Sequence, residues 1–230
     1  MNIRQLPGVG SIVIAILAPS PVLAGELHVP EQFDQIQAAI DAAQPGDSVI
    51  VQPGTYRGQI RISKGVTLRS AGDDSAGKIG LARAEATNLD SAGRFPAVTL
   101  GQGAAIDGVT VTGAGSFDQA EFDRHYAERG ENLPDDRGTA GADRSGVAVL
   151  IADVDARVSS CIVHDNGGPG IGVSGAGSKT RVTGNHVYRN MGGGIAFTDG
   201  AEGYAGGNHC WGNLRAGIGC RGAGPRIEDY

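Results

Sequence analysis

Three segments in the C-terminal third of the chain repeat one another: CIVHDNGGPGIGVSG (161–175), NHVYRNMGGGIAFTD (185–199) and NHCWGNLRAGIGCRG (208–222). Corresponding positions lie 24 and then 23 residues apart. The repeat aligns like residues in columns, of which three are Asn166, Asn190 and Asn213; Gly170, Gly194 and Gly217; and Ile171, Ile195 and Ile218. The same register is predicted to continue upstream, with Val147 and Val149 in the columns of Ile171 and Val173.

A period near 23, with short alternating apolar runs broken by Gly and Asn, is typical of a β-solenoid in which each repeat is one coil. Stacked coils place equivalent residues about 4.8 Å apart, so identical residues in a column contact each other. The Asn column is therefore predicted to be structural, with side-chain amides hydrogen-bonded from coil to coil at a turn. The Ile and Val columns are predicted to form the core. The Gly column is predicted to lie at turns that need close stacking and unusual backbone angles.

The composition agrees with an all-β chain. Gly accounts for 39 of the 230 residues, and Gly in a helix interior costs about 1 kcal/mol relative to Ala, which disfavours helical bundles. The formal net charge of −6 disfavours non-specific nucleic-acid binding, which depends on Lys and Arg neutralising phosphates.

The first residues have the pattern of a signal peptide. Arg4 precedes the apolar run VGSIVIAILA (9–18), which is too short to span a bilayer, and a small residue suited to cleavage follows at Ala24. We expect a signal peptide over residues 1–24 and a secreted or periplasmic domain over 25–230 with no membrane span after cleavage. The alternative is an uncleaved N-terminal anchor.

The last residues predict an open end. The segment Pro225–Tyr230 matches Thr180–Asn185, so the sequence is expected to stop mid-coil, after the opening strand of a new coil. Such an end predicts either a truncated product of a longer gene or self-association through the open C-terminal coil.

The three cysteines, Cys161, Cys210 and Cys220, cannot form a disulfide framework. In the repeat, Cys210 replaces Val and Cys220 replaces Phe at inward positions. Both are therefore predicted to be buried thiols that act as small hydrophobes.

The N-terminal segment predicts how the solenoid begins. Apolar residues from Phe33 to Ala43 follow helical spacing up to Pro45-Gly46, and short strands follow over Val49–Val51, Pro53–Tyr56, Ile60–Ile62 and Val66–Leu68. A helix laid across the first coil would cover the exposed core and strand edges of an open solenoid end.

The run FDQIQAAIDAAQPGDSVIVQPGTYRGQIRISKGVTLRSAG (33–72) resembles the entry segment of the pectin-lyase-like right-handed parallel β-helix superfamily. The later ATNLDSAG (86–93) and AIDGVTVTGAG (105–115) are similar to its coil pattern. The resemblance implies a right-handed parallel β-helix with an N-terminal amphipathic capping helix. Members of the superfamily include polysaccharide lyases, glycoside hydrolases, uronan epimerases and non-catalytic surface proteins. No catalytic motif of these enzymes matches, so the catalytic residues are unknown and the fold alone does not decide the function.

Alternation along the strands predicts two outward columns of rings. If Val163, Val187 and Cys210 point inward, their neighbours point outward, and His186 and His209 would stack beside Tyr188 and Trp211. Such rings with polar tips suit a sugar-binding platform. The alternatives are a metal site, because imidazole is a common ligand, and a surface ladder that only stabilises stacking. The candidate substrate-binding residues are His164, His186, Tyr188, Arg189, His209, Trp211 and Arg215.

A charged insertion at about 116–145 interrupts the coil period. Its aromatic residues Phe117, Phe122 and Tyr126 are suited to anchor it against a sheet. Its carboxylates are suited to bind Ca²⁺ and comprise Asp118, Glu121, Asp123, Asp135 and Asp136. The alternative is a solvated, partly helical excursion without a metal.

These patterns together predict an exported β-helix protein that binds acidic or neutral polysaccharide without catalysis. The alternatives are a Ca²⁺-dependent polysaccharide lyase or related carbohydrate-active enzyme, with Arg189 or Arg215 contributing, and a structural envelope or adhesion module.

Overall fold

The computed structural model describes residues 24–63, 65–75, 77–128 and 146–229. The predicted signal peptide, apart from Ala24, and residues 129–145 of the predicted insertion lie outside these ranges. The helices are α1 (Ile36–Ala42), α2 (Ala82–Ala86) and α3 (Gln119–Ala127). The strands are β1 (Glu26–Val29), β2 (Ser48–Val51), β3 (Gly54–Arg57), β4 (Ile60–Ile62), β5 (Thr67–Ser70), β6 (Thr87–Asp90), β7 (Val98–Leu100), β8 (Ala105–Asp107), β9 (Thr110–Thr112), β10 (Val149–Ala152), β11 (Arg157–Ser159), β12 (Ile162–His164), β13 (Ile171–Ser174), β14 (Lys179–Thr183), β15 (His186–Tyr188), β16 (Ile195–Thr198), β17 (Glu202–Gly206), β18 (His209–Trp211), β19 (Ile218–Arg221) and β20 (Arg226–Glu228).

The strands form three parallel sheets. Sheet A has the order β1-β2-β5-β8-β11-β14-β17-β20, sheet B the order β3-β6-β9-β12-β15-β18, and sheet C the order β4-β7-β10-β13-β16-β19. From β2 onward the chain visits sheets A, B and C in turn, so each coil adds one strand to each sheet. The predicted all-β parallel β-helix is confirmed.

The core lies inside the coils. Val163 and Val187 pair in register on sheet B and are fully buried. Ile171 and Ile195 pair on sheet C, and at most 1% of each residue is exposed. Full burial of one such side chain stabilises the fold by about 1.5–3 kcal/mol, and the coils repeat it along their whole length. The predicted core columns are confirmed.

The predicted upstream register is wrong by two residues. Val149, not Val147, pairs with Ile171, and Ile151 pairs with Val173. The neighbouring pair Arg157 and Arg181 keeps the 24-residue offset, so the connection from sheet C to sheet A is two residues shorter in the earlier coil. An even shift leaves the inward and outward alternation unchanged.

Helix α1 packs where the sequence predicts. Ile36, Ala39 and Ile40 are buried, and the helix contacts β1, β2 and β4 at the first coil. Strand β1, which sequence patterning missed, precedes the helix and adds an edge strand to sheet A by pairing with β2. Among the described residues, no helix has the length and apolarity needed to cross a membrane.

The Asn column is hydrogen-bonded from coil to coil, as predicted. Asn166 Nδ2 donates to Asn190 Oδ1 at 2.9 Å, and Asn190 Nδ2 donates to Asn213 Oδ1 at 3.0 Å. A second column, which the sequence analysis missed, joins Asn185 Nδ2 to Asn208 Oδ1 at 2.9 Å in the turns between sheets A and B. Both columns are buried where coils cover them, which explains why the turns of successive coils stay in register.

Of the two predicted reasons for Gly in the Gly column, close stacking and unusual backbone angles, only the first is found. Gly170, Gly194 and Gly217 do not have positive φ, so the expected unusual backbone angles are absent there. Close approach is the cause: a Cβ on Gly194 would lie 2.5 Å from the carbonyl oxygen of Gly217 in the next coil.

The cysteines are buried to different degrees. Cys161 is buried, Cys210 is partly buried and Cys220 is exposed. Cys220 does pair with Phe197 in the inward column, but β19 is the edge strand of sheet C, so no described strand covers its far side. The prediction that Cys220 is a buried thiol is wrong.

Candidate functional site

The outer face of sheet B carries two neighbouring columns of side chains. Ile162, His186 and His209 occupy one, and His164, Tyr188 and Trp211 occupy the other, in the parallel register of β12, β15 and β18. We call these five rings the aromatic face. Sequence alternation predicts both columns, and the structure brings their rings together.

One column is a face-to-face stack. The ring centroids of His164 and Tyr188 are 5.0 Å apart with planes 2° from parallel, and those of Tyr188 and Trp211 are 4.4 Å apart with planes 14° from parallel. Both faces of Tyr188 are therefore covered by its neighbours. A ligand at this column therefore meets the edge of Tyr188 with its hydroxyl, whereas Trp211, on the edge strand β18, is stacked by Tyr188 on one side and is 45% exposed.

The second column contains the two histidines. The ring centroids of His186 and His209 are 4.8 Å apart, and His186 meets Trp211 edge-on at 5.4 Å. Burial lowers the pKa of His186, and the nearby His209 lowers it further, so the imidazole of His186 is neutral at pH 7. His186 is thus an uncharged, partly buried support for the indole of Trp211.

Asp165 and Arg189 link two coils at the end of the first column. Arg189 Nε donates to Asp165 Oδ1 at 2.8 Å, and His164 Nδ1 lies 2.8 Å from Asp165 Oδ2. Burial alone would raise the pKa of Asp165, but its hydrogen bonds with His164 and Arg189 outweigh burial and hold that pKa below its ordinary value. The carboxylate is therefore ionised and engaged at both oxygens.

The described part of the insertion packs beside this ion pair. The Arg189 guanidinium lies 5.0 Å from the ring centroid of Phe122 and 5.5 Å from that of Phe117, and its Nη2 donates to Gln119 Oε1 at 2.6 Å. Phe122 is buried, and Tyr126 stacks on it at 5.7 Å. Helix α3 is thereby fixed along the edge of the aromatic face.

The acidic residues of α3 serve the helix itself. Asp118 caps it by accepting from the Glu121 backbone N–H at 2.8 Å, and Asp123 accepts from Gln119 at 2.6 Å. In residues 24–63, 65–75, 77–128 and 146–229, no three metal-ligating side chains cluster as a metal site requires. Asp135 and Asp136 lie outside the described residues.

Helix α2 covers the other side of the face. Leu81 and Ala84 pack on Ile162, which is 4% exposed although it points outward, and Thr110 Oγ1 donates to the Ala84 carbonyl at 2.7 Å. Arg83 clamps this segment, with Nη1 2.6 Å from Asp107. Sequence patterning missed α2. The sequence feature that could have revealed α2 is the length of the connection between β5 and β6. The other described connections from sheet A to sheet B have only two residues.

Two exposed rings lie at the corner between sheet B and α3, linked through the backbone of Gly212. Trp211 is 45% exposed and Tyr126 is 56% exposed. Gly212, directly after Trp211, lies against Tyr126, because a Cβ on it would be 3.9 Å from the Tyr126 ring. Sequence analysis treated Tyr126 only as an anchor and missed its place beside Trp211.

The seventh candidate residue, Arg215, follows the strand that carries Trp211. It occupies the turn between β18 and β19, and its backbone N–H donates to the Gly192 carbonyl at 3.2 Å. The structure therefore brings together six of the seven sequence-derived candidates, namely His164, His186, Tyr188, Arg189, His209 and Trp211.

Comparisons with known proteins agree with the architecture. A family model described as "Right handed beta helix region" matches residues 138–230. Among curated proteins, none has a sequence that matches this chain significantly.

The chain is also similar to solved pectin methylesterases. That from Yersinia enterocolitica has a TM-score of 0.45 and 17% identity, over 76% of this chain and 55% of that one, so this chain spans only about half of that enzyme. That from Aspergillus niger has a TM-score of 0.44 and 11% identity, over 92% of this chain and 87% of that one. A pectate lyase, Pel9A, has a TM-score of 0.28 and 12% identity, over 85% of this chain and 72% of that one.

The fold assignment depends on the chain's own features. Its three parallel sheets, its asparagine columns and the family match to residues 138–230 agree with one another. The chain folds as a right-handed parallel β-helix, and its residues 138–230 match the family model of that description.

Proposed function

We propose that the protein is exported and binds polysaccharide, without catalysing a reaction, at the corner formed by Trp211 and Tyr126. The observation that carries this proposal is the exposure of these two rings on either side of Gly212. Among the described residues, the exposed large apolar side chains are Ile79, Tyr126 and Trp211, and Tyr126 lies against Gly212, the residue after Trp211. Aromatic rings that are apolar in body and polar at the tip suit the alternating apolar and hydroxyl surfaces of a sugar.

The neighbouring rings supply hydrogen-bonding groups. The exposed His209 carries ring nitrogens, and Tyr188 adds a phenolic hydroxyl at the edge of the stack. Burial raises the pKa of Tyr188, so this hydroxyl keeps its proton and acts as both donor and acceptor at neutral pH. The corner therefore combines ring surface for a sugar with edges that bind hydroxyl groups.

The carboxylates of Asp165 and Glu85 beside the aromatic face already accept hydrogen bonds from the protein, which supports binding without catalysis. A general acid or base needs a pKa near the working pH, whereas the pKa of Asp165 is held low by its partners. Glu85 accepts the backbone N–H groups of Lys78 and Ile79, and these two hydrogen bonds lower the pKa of its carboxyl in turn. Both carboxylates are thus committed to holding local structure.

The test is affinity electrophoresis through gels that contain neutral or acidic polysaccharides. The single variants Trp211→Ala and Tyr126→Ala are expected to bind about 3- to 10-fold more weakly, and the double variant more weakly still, because each loses about 0.5–1.5 kcal/mol of ring contact. Ile79→Ala is the matched control, since it removes the third exposed apolar side chain on the other side of the face and should migrate as the unchanged protein does.

Two results would contradict the proposal. Unchanged retention of the double variant on every polysaccharide would remove the binding site from this corner and favour the structural envelope or adhesion module. Release of unsaturated uronide products in the presence of Ca²⁺ would contradict the non-catalytic role and favour the lyase.

A further inference from the structure

The outer face of sheet A carries three arginines in one column, two of them in consecutive coils and the third two coils further on, beyond Tyr204. Arg157 pairs with Arg181, Arg181 pairs with Tyr204, and Tyr204 pairs with Arg226. The three arginines are exposed, and Lys179 is exposed two residues before Arg181 on the same strand face. We call Arg157, Lys179, Arg181 and Arg226 the basic column. It lies on a different sheet from the aromatic face.

Two of these arginines repel each other across neighbouring strands. Like charges directly opposite each other on neighbouring strands destabilise a sheet, and Arg157 and Arg181 are such a pair. Within the described ranges, no carboxylate forms an ion pair with Arg157, Lys179 or Arg181. In a chain of net charge −6, Arg157 and Lys179 therefore carry positive charge that no described carboxylate neutralises, and Arg181 packs on a ring instead of a carboxylate.

The column borders a surface depression lined by Lys179, Arg181, Glu202, Gly203, Tyr204, Arg226 and Glu228. Arg181 Cζ lies 4.6 Å from the ring centroid of Tyr204, which covers one face of that ring. Gly206 leaves room for the phenol, because a Cβ there would collide with the Tyr204 hydroxyl. The depression is therefore built from a ring and the cation that rests on it.

The two acidic residues at this depression, Glu202 and Glu228, form no ion pair with Arg157, Lys179 or Arg181. Glu228 forms an ion pair with Arg226 and a hydrogen bond with the Tyr204 hydroxyl, and the hydrogen bond from Arg226 is the main reason that the pKa of Glu228 is lowered. Glu202 lies opposite Lys179 in register without an ion pair between them. Lys179 and Arg181 thus remain available at the depression, and Arg157 lies beside Arg181 on the neighbouring strand.

We propose that the basic column binds the carboxylate groups of a linear acidic polysaccharide. Strand spacing sets Arg157 and Arg181 about 4.8 Å apart, with Arg226 two coils beyond Arg181, so successive anionic groups along an extended chain can meet Arg157 and Arg181 in turn. The guanidinium fork matches the planar carboxylate and forms two parallel hydrogen bonds with it. This binding goes beyond the proposed function, because it recognises charge rather than the sugar ring.

The test measures binding of polygalacturonate, uncharged dextran and dextran sulfate by the full chain at low and high NaCl. The Arg157→Gln/Arg181→Gln variant is expected to bind polygalacturonate about fivefold more weakly or worse at low salt, with the difference reduced at high salt. The control Arg61→Gln/Arg94→Gln removes the same charge from two exposed arginines elsewhere and should keep the affinity of the unchanged protein. Preference for polygalacturonate over dextran sulfate identifies the carboxylate.

Three outcomes would overturn the proposal: equal weakening by both double variants, unchanged binding by Arg157→Gln/Arg181→Gln, or stronger binding of a single-stranded oligonucleotide than of polygalacturonate. A stability readout separates a structural role from a binding role. Because Arg157 faces a like charge, Arg157→Gln should leave the Tm unchanged or raise it, and a clear fall would also overturn the proposal. Trp211→Ala/Tyr126→Ala should weaken the binding of uncharged dextran and keep the salt-dependent part of polygalacturonate binding, so failure of one proposal is distinguishable from failure of the other.

Discussion

Arg189 Nε and Asp165 Oδ1 lie 2.8 Å apart and join two consecutive coils through residues that both have left-handed backbone conformation, with φ of 53° and 50°. The two residues occupy equivalent positions in their coils, directly after His164 and Tyr188. One ion pair therefore orients the turn beneath the ring stack and holds the guanidinium against Phe122 of α3. The corner at Trp211 depends on this link.

The stability effect of this link should depend on pH. The folded state lowers the pKa of Asp165, so its stabilisation is complete above the unfolded value of about 3.9 and is lost as the pH falls through the folded pKa. Asp165→Asn is expected to reduce the free energy of unfolding by about 1 kcal/mol at pH 7 and by progressively less below pH of about 4. Urea unfolding across this range measures the effect. Asp90→Asn, whose partner Arg57 is exposed and 3.6 Å away, should give a smaller change, and a pH-independent difference for Asp165→Asn would contradict the account.

The buried Asn column should be the most sensitive polar element of the fold. The Asn190 side chain donates to the Val163 carbonyl at 3.0 Å and to Asn213, and it accepts from Asn166. Asn190→Ala leaves several buried groups without partners and is expected to lower the free energy of unfolding by about 3 kcal/mol or more.

Asn88→Ala is the matched control for that experiment. The Asn88 Oδ1 atom is buried without a hydrogen-bond partner, so its removal should cost little or even stabilise the protein. Chemical unfolding of both variants compares them directly. Equal losses for the two variants would show that the column contributes no more than an ordinary asparagine.

The sequence predicts what repeats and misses what does not. The column of Asn190 and the inward position of Val187 are visible because each coil imposes the same contacts on the next, which leaves a fixed period in the sequence. Helix α2 breaks that period once and has no second copy to reveal it. The burial of Ile162 under α2 is equally invisible, because alternation gives the direction of a side chain but not what covers it.

In the candidate site, too, the sequence predicts the features that repeat from coil to coil and not those that occur once. The register correctly places Tyr188 beside Trp211, but it does not give the orientation of the two rings. Their planes are 14° from parallel, so Trp211 covers a face of Tyr188 and leaves the edge of that ring for a ligand. Tyr126 reaches Gly212 from a helix far away in sequence, and no spacing rule connects the two.

Close approach of coils at the Gly column should make it intolerant of a methyl group. A Cβ on Gly194 would lie 2.5 Å from the Gly217 carbonyl oxygen, which is held by a 2.9 Å hydrogen bond from Ile195. Gly194→Ala is expected to cost about 1–3 kcal/mol, measured by thermal unfolding. Gly224→Ala meets nothing within 4 Å and should be neutral, so similar Tm losses in both variants would argue against coil contact as the cause.

The three cysteines should react with an alkylating agent in the order of their exposure. Burial raises the pKa of Cys161 to about 12 and that of Cys210 to about 11, and it raises the pKa of the exposed Cys220 as well. The thiolate is the reactive form, and each unit of pKa above the ambient pH reduces its population about tenfold. At pH 8 we expect Cys220 to react first, Cys210 slowly, and Cys161 only when the chain unfolds.

Mass spectrometry of peptides after timed alkylation measures this order, and Cys220→Ser is expected to remove the fast phase without altering the other two rates. Modification of Cys161 in denaturant should follow the unfolding curve, because its sulfur is enclosed by stacked coils and contacts the Ser159 carbonyl at 3.1 Å. If Cys161 reacted as fast as Cys220 under native conditions, the coils around β12 would have to open far more readily than their continuous core and asparagine columns imply.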